Sequence, residues 1–372
     1  MAKGSYDGYT FTVTDPRSFS DHEIAEGVEL SNLLLAEMLP DETPSAVATR
    51  IAAMRVMPAR YGLWNMRVRT AGGQLVCGTS AFKDWEHDDN PDLTGLSVDV
   101  HPDHRGRGLG SAMLAYQVAF ARALGHTRFV GSTLDCQPCG EPLARSLGGS
   151  VKASSHVNRL VRANVDEGLL REWTDEAVTR SQSYELLAVD GPIPDDIVDA
   201  YVDLLLVMNT APRDDLQCND FSLTVQEWRE NEERMAAVEA EHWTLIARHR
   251  GTGGLVGLHD VIWSPVDPEI VNVGVTGVEP KHRGSSLGRW MKAVMTLRVL
   301  AERPAVREIR TGNADSNAAM LAINERMGYE HWLAETTWEV SREQVETWLA
   351  QRRIPIPDLR AEVDAQRPTV AL

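Results

Sequence analysis

The sequence predicts an α/β protein made of two domains in tandem, and three observations lead to this prediction. A glycine-rich segment that follows a predicted strand occurs twice, starting at His101 and, 178 residues later, at Glu279. A glycine-containing hairpin signal precedes each copy, and a Leu-Gly or Met-Gly pair ending at Gly148 or Gly328 follows it. Because 372 residues are enough for two ordinary domains, the repeat indicates a duplication.

The predicted elements follow the same order in both halves. Each half has a strand, acidic amphipathic helices, a hairpin, a further strand, the glycine-rich segment and a helix with apolar residues at helical spacing. A last pair of strands encloses a short helix. The principal strands are predicted over 9–15, 64–70, 96–100, 127–132 and 156–162, and over 184–190, 242–250, 270–278, 307–311 and 331–340.

This order sets the expected domain boundaries. We expect an N-terminal domain over residues 1–163, a connecting helix and linker over 164–183, a C-terminal domain over 184–345, and a C-terminal helix and tail over 346–372. The tail from Pro355 onward contains prolines and polar residues, so we expect it to be loosely packed.

Composition excludes several classes of function. The net charge of −17 argues against a nucleic-acid partner, and no apolar run is long enough to span a membrane. The first residues lack the apolar core of a signal peptide, and four cysteines do not suggest a disulfide framework, so we expect a cytoplasmic monomer or homodimer. Cys136 and Cys139 have the spacing of a redox or zinc pair, but no second ligand pair is visible, which favours packing and no metal.

The glycine-rich segments are suited to binding an anion. A strand, then Arg-x-x-Gly-x-Gly, then a helix presents free backbone N–H groups at a helix start, where the dipole also favours negative charge. Glycine lets the backbone approach a pyrophosphate closely, and Arg105 or Arg283 can add a charged hydrogen bond. The position and spacing do not fit a Rossmann or a Walker loop. A tight turn without a ligand is the alternative, which two copies in matching contexts disfavour.

These residues resemble the coenzyme A-binding motif of GNAT acetyltransferases. The first copy is Val98-Asp-Val-His-Pro-Asp-His-Arg-Gly-Arg-Gly-Leu-Gly110, and the second is Thr276-Gly-Val-Glu-Pro-Lys-His-Arg-Gly-Ser-Ser-Leu-Gly288. The segment from Asn313 to Tyr329 resembles the strand end and helix that follow in that family. Tandem chains of this kind are similar to mycothiol synthase-like actinobacterial acyltransferases.

The resemblance implies two GNAT domains, each a mixed, splayed central sheet flanked by helices, with acetyl-CoA or another acyl-CoA as cosubstrate. A backbone N–H on the fourth strand would polarise the thioester carbonyl. The implied coenzyme A-binding residues of the first copy are Val98, Val100, Arg105, Gly106, Arg107, Gly108, Leu109, Gly110 and Ser111. Those of the second copy are Thr276, Val278, Arg283, Gly284, Ser285, Ser286, Leu287, Gly288, Arg289, Asn313 and Asn317.

The catalytic residues stay open at this point. In relatives a Tyr on the later helix protonates the thiolate and a Glu on the fourth strand acts as base. The matching positions in the second copy are Asn324 and Asn272, neither of which can exchange a proton. His259 has a pKa near working pH, and Tyr329 is a nearby acid, although each also suits a structural role.

The acceptor is expected to be a small, cationic amine. Residues 181–241 carry 15 acidic and 3 basic side chains and precede the second hairpin, where relatives place their acceptor site. Asn209, Asp214 and Asp215 are the candidate contacts, and a solvated acidic face is the alternative.

Three functions are therefore compared. The first is an acyl-CoA-dependent N-acyltransferase with a catalytic C-terminal domain, which has the better later helix and the acidic segment. The second reverses the domain roles, because the N-terminal glycine loop is the complete one. The third is a non-catalytic acyl-CoA-binding or scaffold protein, favoured by the missing acid and base.

Overall fold

The computed structural model describes residues 6, 8–137 and 139–368, which form two compact units. The first unit comprises residues 1–153, 215–219 and 336–372, and the second comprises 154–214 and 220–335. The sequence-based boundaries were contiguous, whereas these units are interleaved: the end of the second half lies in the first unit. Both units are mixed α/β, as predicted.

The first unit is built on two groups of strands. A four-stranded sheet has the order β1-β2-β3-β5, and the order β4-β6-β13 forms the other group. These strands are β1 (Tyr9–Thr14), β2 (Tyr61–Thr70), β3 (Leu75–Asp84), β4 (Leu93–Gly95), β5 (Asp99–Val100), β6 (Arg128–Leu134) and β13 (Glu330–Ser341, of which 336–341 belong here). The helices are α1 (Asp21–Met38), α2 (Val47–Arg55), α3 (Leu109–Leu124), α4 (Gly140–Ser146), α10 (Arg342–Gln351) and α11 (Arg360–Asp364).

The second unit contains the remaining elements. Its strand order is β7-β12-β11-β10-β9-β8, with β11 and β12 parallel and the other adjacent pairs antiparallel. The strands are β7 (Ser150–Val161, of which 154–161 belong here), β8 (Tyr184–Asp190), β9 (Glu241–His249), β10 (Leu255–Ser264), β11 (Asp267–Val278) and β12 (Glu308–Ala314). The helices are α5 (Glu167–Arg180), α6 (Val198–Leu205), α7 (Val225–Ala237), α8 (Leu287–Glu302) and α9 (Ala318–Met327).

Local sequence explains where the helices begin. Ser20 and Thr224 form capping boxes with Glu23 and Glu227, which satisfy amide groups at the starts of α1 and α7. The apolar face of α3 is buried, and in the second unit α8 packs on the sheet through a cluster that includes Met291. These two helices carry the glycine-rich loops at their N-termini.

One predicted strand is wrong in a way that matters for the site. The sequence predicted a continuous strand over 96–100, but the structure has two short strands with residues 96–98 between them. β4 pairs in parallel with β6, whereas β5 pairs with β3, because the chain crosses from one group of strands to the other. The hydroxyl of Thr79 donates to the carbonyl of Ser97 at 3.0 Å and holds the crossing. A gap therefore opens in the sheet beside Asp99.

Two further expectations need correction. The tail is not loosely packed up to residue 364, because α11 buries Leu359 and Val363 in a cluster with Trp64. For the later helix of the second half the sequence favours Asp315 or Ser316 as the N-cap, but the N-cap is Asn317, whose side chain accepts from the Met320 amide.

Candidate active site

The two glycine-rich loops have the same backbone conformation. Gly106 and Gly284 have φ values of 73° and 80°, and the N-cap positions Gly108 and Ser286 are left-handed at 83° and 61°. A serine in this conformation is uncommon, so the loop geometry is held by its surroundings. Repetition of a left-handed conformation at both positions indicates that both loops form the same cradle.

A tyrosine–histidine hydrogen bond also repeats beside each loop. The hydroxyl of Tyr9 on β1 lies 2.9 Å from Nδ1 of His104, and the hydroxyl of Tyr184 on β8 lies 2.9 Å from Nδ1 of His282. Each pair ties the first strand of a half to its loop. The duplication therefore extends from sequence to side-chain contacts.

Each loop presents backbone N–H groups to an open groove. Among the described residues, no hydrogen-bond acceptor faces the amides of 106–110 or 284–288. Arg105 and Arg283 fold back so that Nε donates to the carbonyls of Val100 and Val278. Free amides at a helix start together with a fixed arginine suit a pyrophosphate.

The groove of the first unit has a volume of about 380 Å³. It contains six of the residues predicted to bind coenzyme A: Val98, Val100, Arg105, Gly106, Leu109 and Gly110. Arg107 is turned toward Tyr9 and the carbonyl of Asp103, and Gly108 and Ser111 lie beside the lining residues. The C-terminal end of α1 closes the groove with Leu34, Glu37 and Met38.

Glu37 forms an ion pair with Arg105, the arginine of this groove. Its carboxylate accepts from both terminal nitrogens of Arg105, at 2.6 and 2.5 Å, and this pairing lowers the pKa of Glu37. Both side chains are 37% exposed, so the pair is weak enough for an incoming pyrophosphate to displace.

The groove of the second unit is larger, about 510 Å³. It contains nine predicted residues: Thr276, Val278, Arg283, Gly284, Ser286, Leu287, Gly288, Arg289 and Asn317. Ser285 and Asn313 lie outside the lining; the Ser285 carbonyl accepts from Ser181, and Asn313 accepts from Asn324. Arg326 adds positive charge that the sequence analysis missed, and His282 also lines the groove.

A row of three residues crosses the four-stranded sheet of the first unit. Arg67 on β2 is the cross-strand partner of Gly78 on β3, and Gly78 is the partner of Asp99 on β5. Directly paired residues share a face of a sheet, so the guanidinium and carboxylate stand on the same side with a bare glycine between them. They line a second cavity of about 320 Å³, beneath α1 and α2.

Asp99 is the residue at which the cavities of the first unit meet. It lines the 320 Å³ cavity, the coenzyme A groove and a smaller space of about 210 Å³ beside the split strand. The carboxylate remains in contact with solvent through these openings, but crowding by protein atoms raises its pKa. No described residue pairs with the carboxylate. An unpaired carboxylate with a raised pKa at a junction of cavities suits proton transfer.

The same row in the second unit is apolar and filled. Ile246, Leu258 and Gly277 take the places of Arg67, Gly78 and Asp99 in the strand register. Ile246 and Leu258 are fully buried beneath α6, and a Cβ on Gly277 would lie 2.5 Å from Val207. The second unit therefore has a groove beside its glycine-rich loop but packed side chains where the first unit has a cavity.

The predicted catalytic residues of the second half do not come together in its groove. Asn272 is exposed on β11, and Asn324 is buried with its amide nitrogen 2.6 Å from Oδ1 of Asn313. His259 is buried with Nδ1 2.8 Å from the hydroxyl of Thr276, and burial followed by the charge of Lys292 lowers its pKa. Burial raises the pKa of Tyr329.

Lys292 is a feature that the sequence analysis missed. It is 1% exposed, its Nζ lies 5.3 Å from the ring centroid of Tyr329, and no described residue accepts a hydrogen bond from it. Burial lowers its pKa to about 8. Position 292 gave no signal in the sequence because apolar residues surround it on α8.

The predicted acceptor residues have structural partners. Asn209 bridges both backbone groups of Phe221, and Asp214 accepts from the amide of Ser154 at 3.3 Å. The amide of Asp215 donates to the carbonyl of Lys152. Asp214 is left-handed, with φ of 49°, so this loop is held by specific contacts.

Arg67 and Asp99 were not selected from the sequence. Asp99 stands inside the quoted motif, and Arg67 shares one face of β2 with Leu63, Asn65 and Arg69, a mixed face that does not single it out. Their alignment across Gly78 depends on the pairing register, which the sequence does not reveal.

Comparison with known proteins agrees with this geometry. Residues 29–145 match the acetyltransferase (GNAT) family. That part of the chain is similar to GNAT acetyltransferases. The predicted enzyme class, a GNAT-type acyltransferase, is thereby confirmed, while the similarity to mycothiol synthase stays a prediction. No curated protein sequence matches the chain.

Solved structures extend the likeness to the whole fold. A tandem GNAT protein from the clavulanic acid biosynthesis pathway, solved without acetyl-CoA, has a TM-score of 0.72 at 22% identity, covering 90% of this chain and 98% of its own. A GCN5-related N-acetyltransferase from Sphaerobacter thermophilus gives 0.61 at 13% identity, with 89% and 96% covered. A glucosamine N-acetyltransferase region of a fungal β-N-acetylglucosaminidase gives 0.60 at 12%, with 90% and 38% covered. The predicted tandem GNAT fold is confirmed.

Two other features concern metals and membranes. Within 6, 8–137 and 139–368, no cluster of three His, Cys, Asp or Glu side chains is arranged to hold a metal ion. In the same residues, no helix is both long and apolar enough to cross a bilayer. Cys77, Cys136 and Cys139 form no disulfide bond.

Proposed function

We propose that this protein is an acyl-CoA-dependent N-acyltransferase whose transfer step takes place in the first unit, at Asp99. The observation that carries the proposal is that Asp99 lines both the groove of the glycine-rich loop and the 320 Å³ cavity. A carboxylate at that junction faces the thioester on one side and the attacking amine on the other. The cavity volume suits a small acceptor.

The residues of the groove have distinct roles in this proposal. The amides of 106–110 and Arg105 hold the pyrophosphate, which requires Arg105 to exchange Glu37 for the ligand. Val98 and Val100, beside the split strand, face the pantetheine arm. Acetyl-CoA is the proposed cosubstrate, since it is the one that gives the family its name.

In this proposal Asp99 accepts a proton from the amine and donates it to the thiolate. The acceptor nitrogen binds as an ammonium and first loses one proton to solvent; as the neutral amine then bonds to the thioester carbon, the carboxylate accepts the second proton that the nitrogen releases. The carbon–sulfur bond then breaks, and the same proton can pass to the thiolate because Asp99 also lines the groove. A raised pKa favours this return, since a carboxyl of ordinary acidity would hold its proton too weakly near neutral pH.

The second unit is proposed to bind acyl-CoA without transferring the acyl group. Its groove has the cradle and three arginine side chains, but the acceptor side is packed by Ile246, Leu258 and Val207. The sequence favoured the C-terminal domain as catalytic and left the reverse arrangement open. The polar row of the first unit supports the reverse arrangement.

The test is thiol release from acetyl-CoA by the full-length protein against a panel of small amines. Wild type should turn over, and Asp99→Asn should lose about 10²- to 10⁴-fold in kcat while keeping its affinity for acetyl-CoA. Asp41→Asn, an exposed carboxylate in the same unit, is the control and should behave as wild type. Tight acetyl-CoA binding with no turnover on any amine would favour the binding-protein alternative instead.

A further inference from the structure

The geometry points to an α-amino acid with an apolar side chain as the acceptor, with its carboxylate on Arg67 and its amine facing Asp99. This inference rests on the proposed function and names the substrate class of the same site. It replaces a purely cationic amine, since Arg67 would repel a ligand that carries only positive charge.

Arg67 is a buried cation that lacks a carboxylate partner. The side chain is 8% exposed; Nε donates to Asn65 at 3.0 Å, Nη1 donates to the carbonyl of Glu23 at 2.7 Å, and the guanidinium lies 3.8 Å from the centroid of the Phe19 ring. No described residue accepts from Nη2. The contacts fix the guanidinium in the cavity wall with a donor left over.

The neighbouring acids are already engaged elsewhere. The carboxylate of Glu23 accepts from the backbone amide of Ser20 in the cap of α1. Glu26 forms a bidentate ion pair with Arg69, with both distances at 2.6 Å. Burial, followed by the charge of Arg69, lowers the pKa of Arg67, and the charges of Glu26 and Glu23 offset this only in part. A buried cation with no directly paired carboxylate is costly unless a ligand supplies one, and a planar carboxylate matches the guanidinium.

Gly78 supplies the floor between the two charges. Adjacent strands are about 4.8 Å apart, so the backbones at Arg67 and Asp99 are separated by about 10 Å across the glycine. Both side chains reach inward over that floor, which leaves room for a compact zwitterion between them. A Cβ at Gly78 would have only the Met66 carbonyl within 4 Å, at 3.6 Å, so the floor is open rather than packed.

The rest of the cavity wall is mainly apolar. The side chains are those of α1, α2 and the neighbouring strands, including Phe19, Ile24, Leu30, Met54, Leu63 and Trp64. Arg50 on α2 is the other cation of the wall, and it is exposed. A branched aliphatic or an aromatic side chain therefore matches the surroundings, and a charged side chain does not.

The test compares three acceptors of similar shape with acetyl-CoA and the full-length protein: L-leucine, L-leucinamide and 3-methylbutylamine. We expect kcat/KM for L-leucine to exceed that for the other two by about 10- to 100-fold, because only leucine offers a carboxylate. Equal rates on all three would overturn the inference while leaving the proposed acyltransferase intact. No thiol release on these or any other amine would instead count against the proposed function.

Two matched variants locate the carboxylate contact. Arg67→Met should remove the preference for leucine over leucinamide, mainly through KM, whereas Arg69→Met on the same strand should keep it. Acetyl-CoA affinity and thermal unfolding report whether each variant is folded. If Arg67→Met does not fold, Gly78→Val provides the second route, since its branched side chain should block all three acceptors without weakening acetyl-CoA binding. Loss of the preference in Arg50→Met but not in Arg67→Met would overturn the assignment.

Discussion

Arg67 and Asp99 are separated by a single residue, Gly78, in one row across the sheet of the first unit. The two side chains share a face and a cavity, and neither forms an ion pair with a described residue. The corresponding row of the second unit is Ile246, Leu258 and Gly277. The two halves thus share the backbone geometry of the glycine-rich loop but differ in the row of side chains across the neighbouring strands.

The pH dependence of turnover should report the ionisation of the Asp99 carboxyl group. Burial raises its pKa, and the base must be ionised to accept the amine proton, so kcat/KM should fall as pH decreases through a value above the usual 3.9 or so of an aspartate. The measurement is kcat/KM between pH 4 and 8 with thiol detection. An acid limb at or below pH 4, with Asp99 intact, would contradict the role of this carboxyl.

Removing the charge of Glu37 should strengthen acetyl-CoA binding to the first unit. Glu37→Gln frees Arg105 for the pyrophosphate, and we expect the Kd to fall by about 2- to 10-fold at low salt, with a smaller difference at high salt. Calorimetric titration in a Gly288→Asp background isolates the first groove. Glu29→Gln, an exposed residue of α1, is the control; an equal effect there would point to general charge rather than to the pair.

Replacing Lys292 should stabilise the protein. Its pKa falls from 10.5 to about 8 on folding, so below pH 8 the buried ammonium costs on the order of 3 kcal/mol. The unfolded chain binds the extra proton between pH 8 and 10.5, and the free energy of unfolding therefore rises with pH across that window. Lys292→Met should raise stability at pH 7 by about 1–3 kcal/mol and flatten this rise. Urea unfolding measures both, with exposed Lys281→Met as control; a less stable Lys292→Met would mean that the ammonium has a favourable partner.

Gly78 in the row of the first unit and Gly277 in the row of the second unit should respond oppositely to alanine. Gly277→Ala places a Cβ 2.5 Å from Val207 and should lower the free energy of unfolding by about 1–3 kcal/mol. Gly78→Ala meets nothing closer than 3.6 Å, so it should keep stability but raise KM for the acceptor. Thermal unfolding and acceptor kinetics separate the two effects. Equal destabilisation by both changes would mean that the cavity of the first unit has no free space above Gly78.

The sequence predicts the duplication, the order of elements and the two cradles because these depend on local signals. Glycine, arginine and helical spacing are visible at Arg105 and Gly110 without any knowledge of pairing. The element bounds agree closely at Tyr184–Asp190, where a strand is flanked by turn residues. Local chemistry is sufficient for these features.

The acceptor site could not be predicted, because it depends on register and on a broken strand. Arg67 and Asp99 are 32 positions apart and meet only through the pairing with Gly78. Because the sequence predicted one continuous strand over 96–100, it did not reveal that the chain crosses between two groups of strands beside Asp99. His259 and Asp260 looked like a polar site, yet the Asp260 carboxylate is buried 2.8 Å from Nε2 of His242. Their burial depends on helices placed far away in sequence.

The central claim is that acyl transfer uses the first unit. Gly110 and Gly288 stand at the same place in the two cradles; a Cβ at Gly110 would meet Val98 at an ordinary 3.4 Å, and at Gly288 it would meet nothing within 4 Å. An aspartate at either position suits a helix start but repels a pyrophosphate.

Steady-state thiol release by Gly110→Asp and Gly288→Asp, compared with the alanine variants at each position, is therefore the decisive measurement. We predict that Gly110→Asp loses at least about 100-fold in kcat/KM for acetyl-CoA while Gly288→Asp retains turnover within about five-fold of wild type. Loss of turnover in Gly288→Asp with activity kept in Gly110→Asp would contradict the account and place catalysis in the second unit.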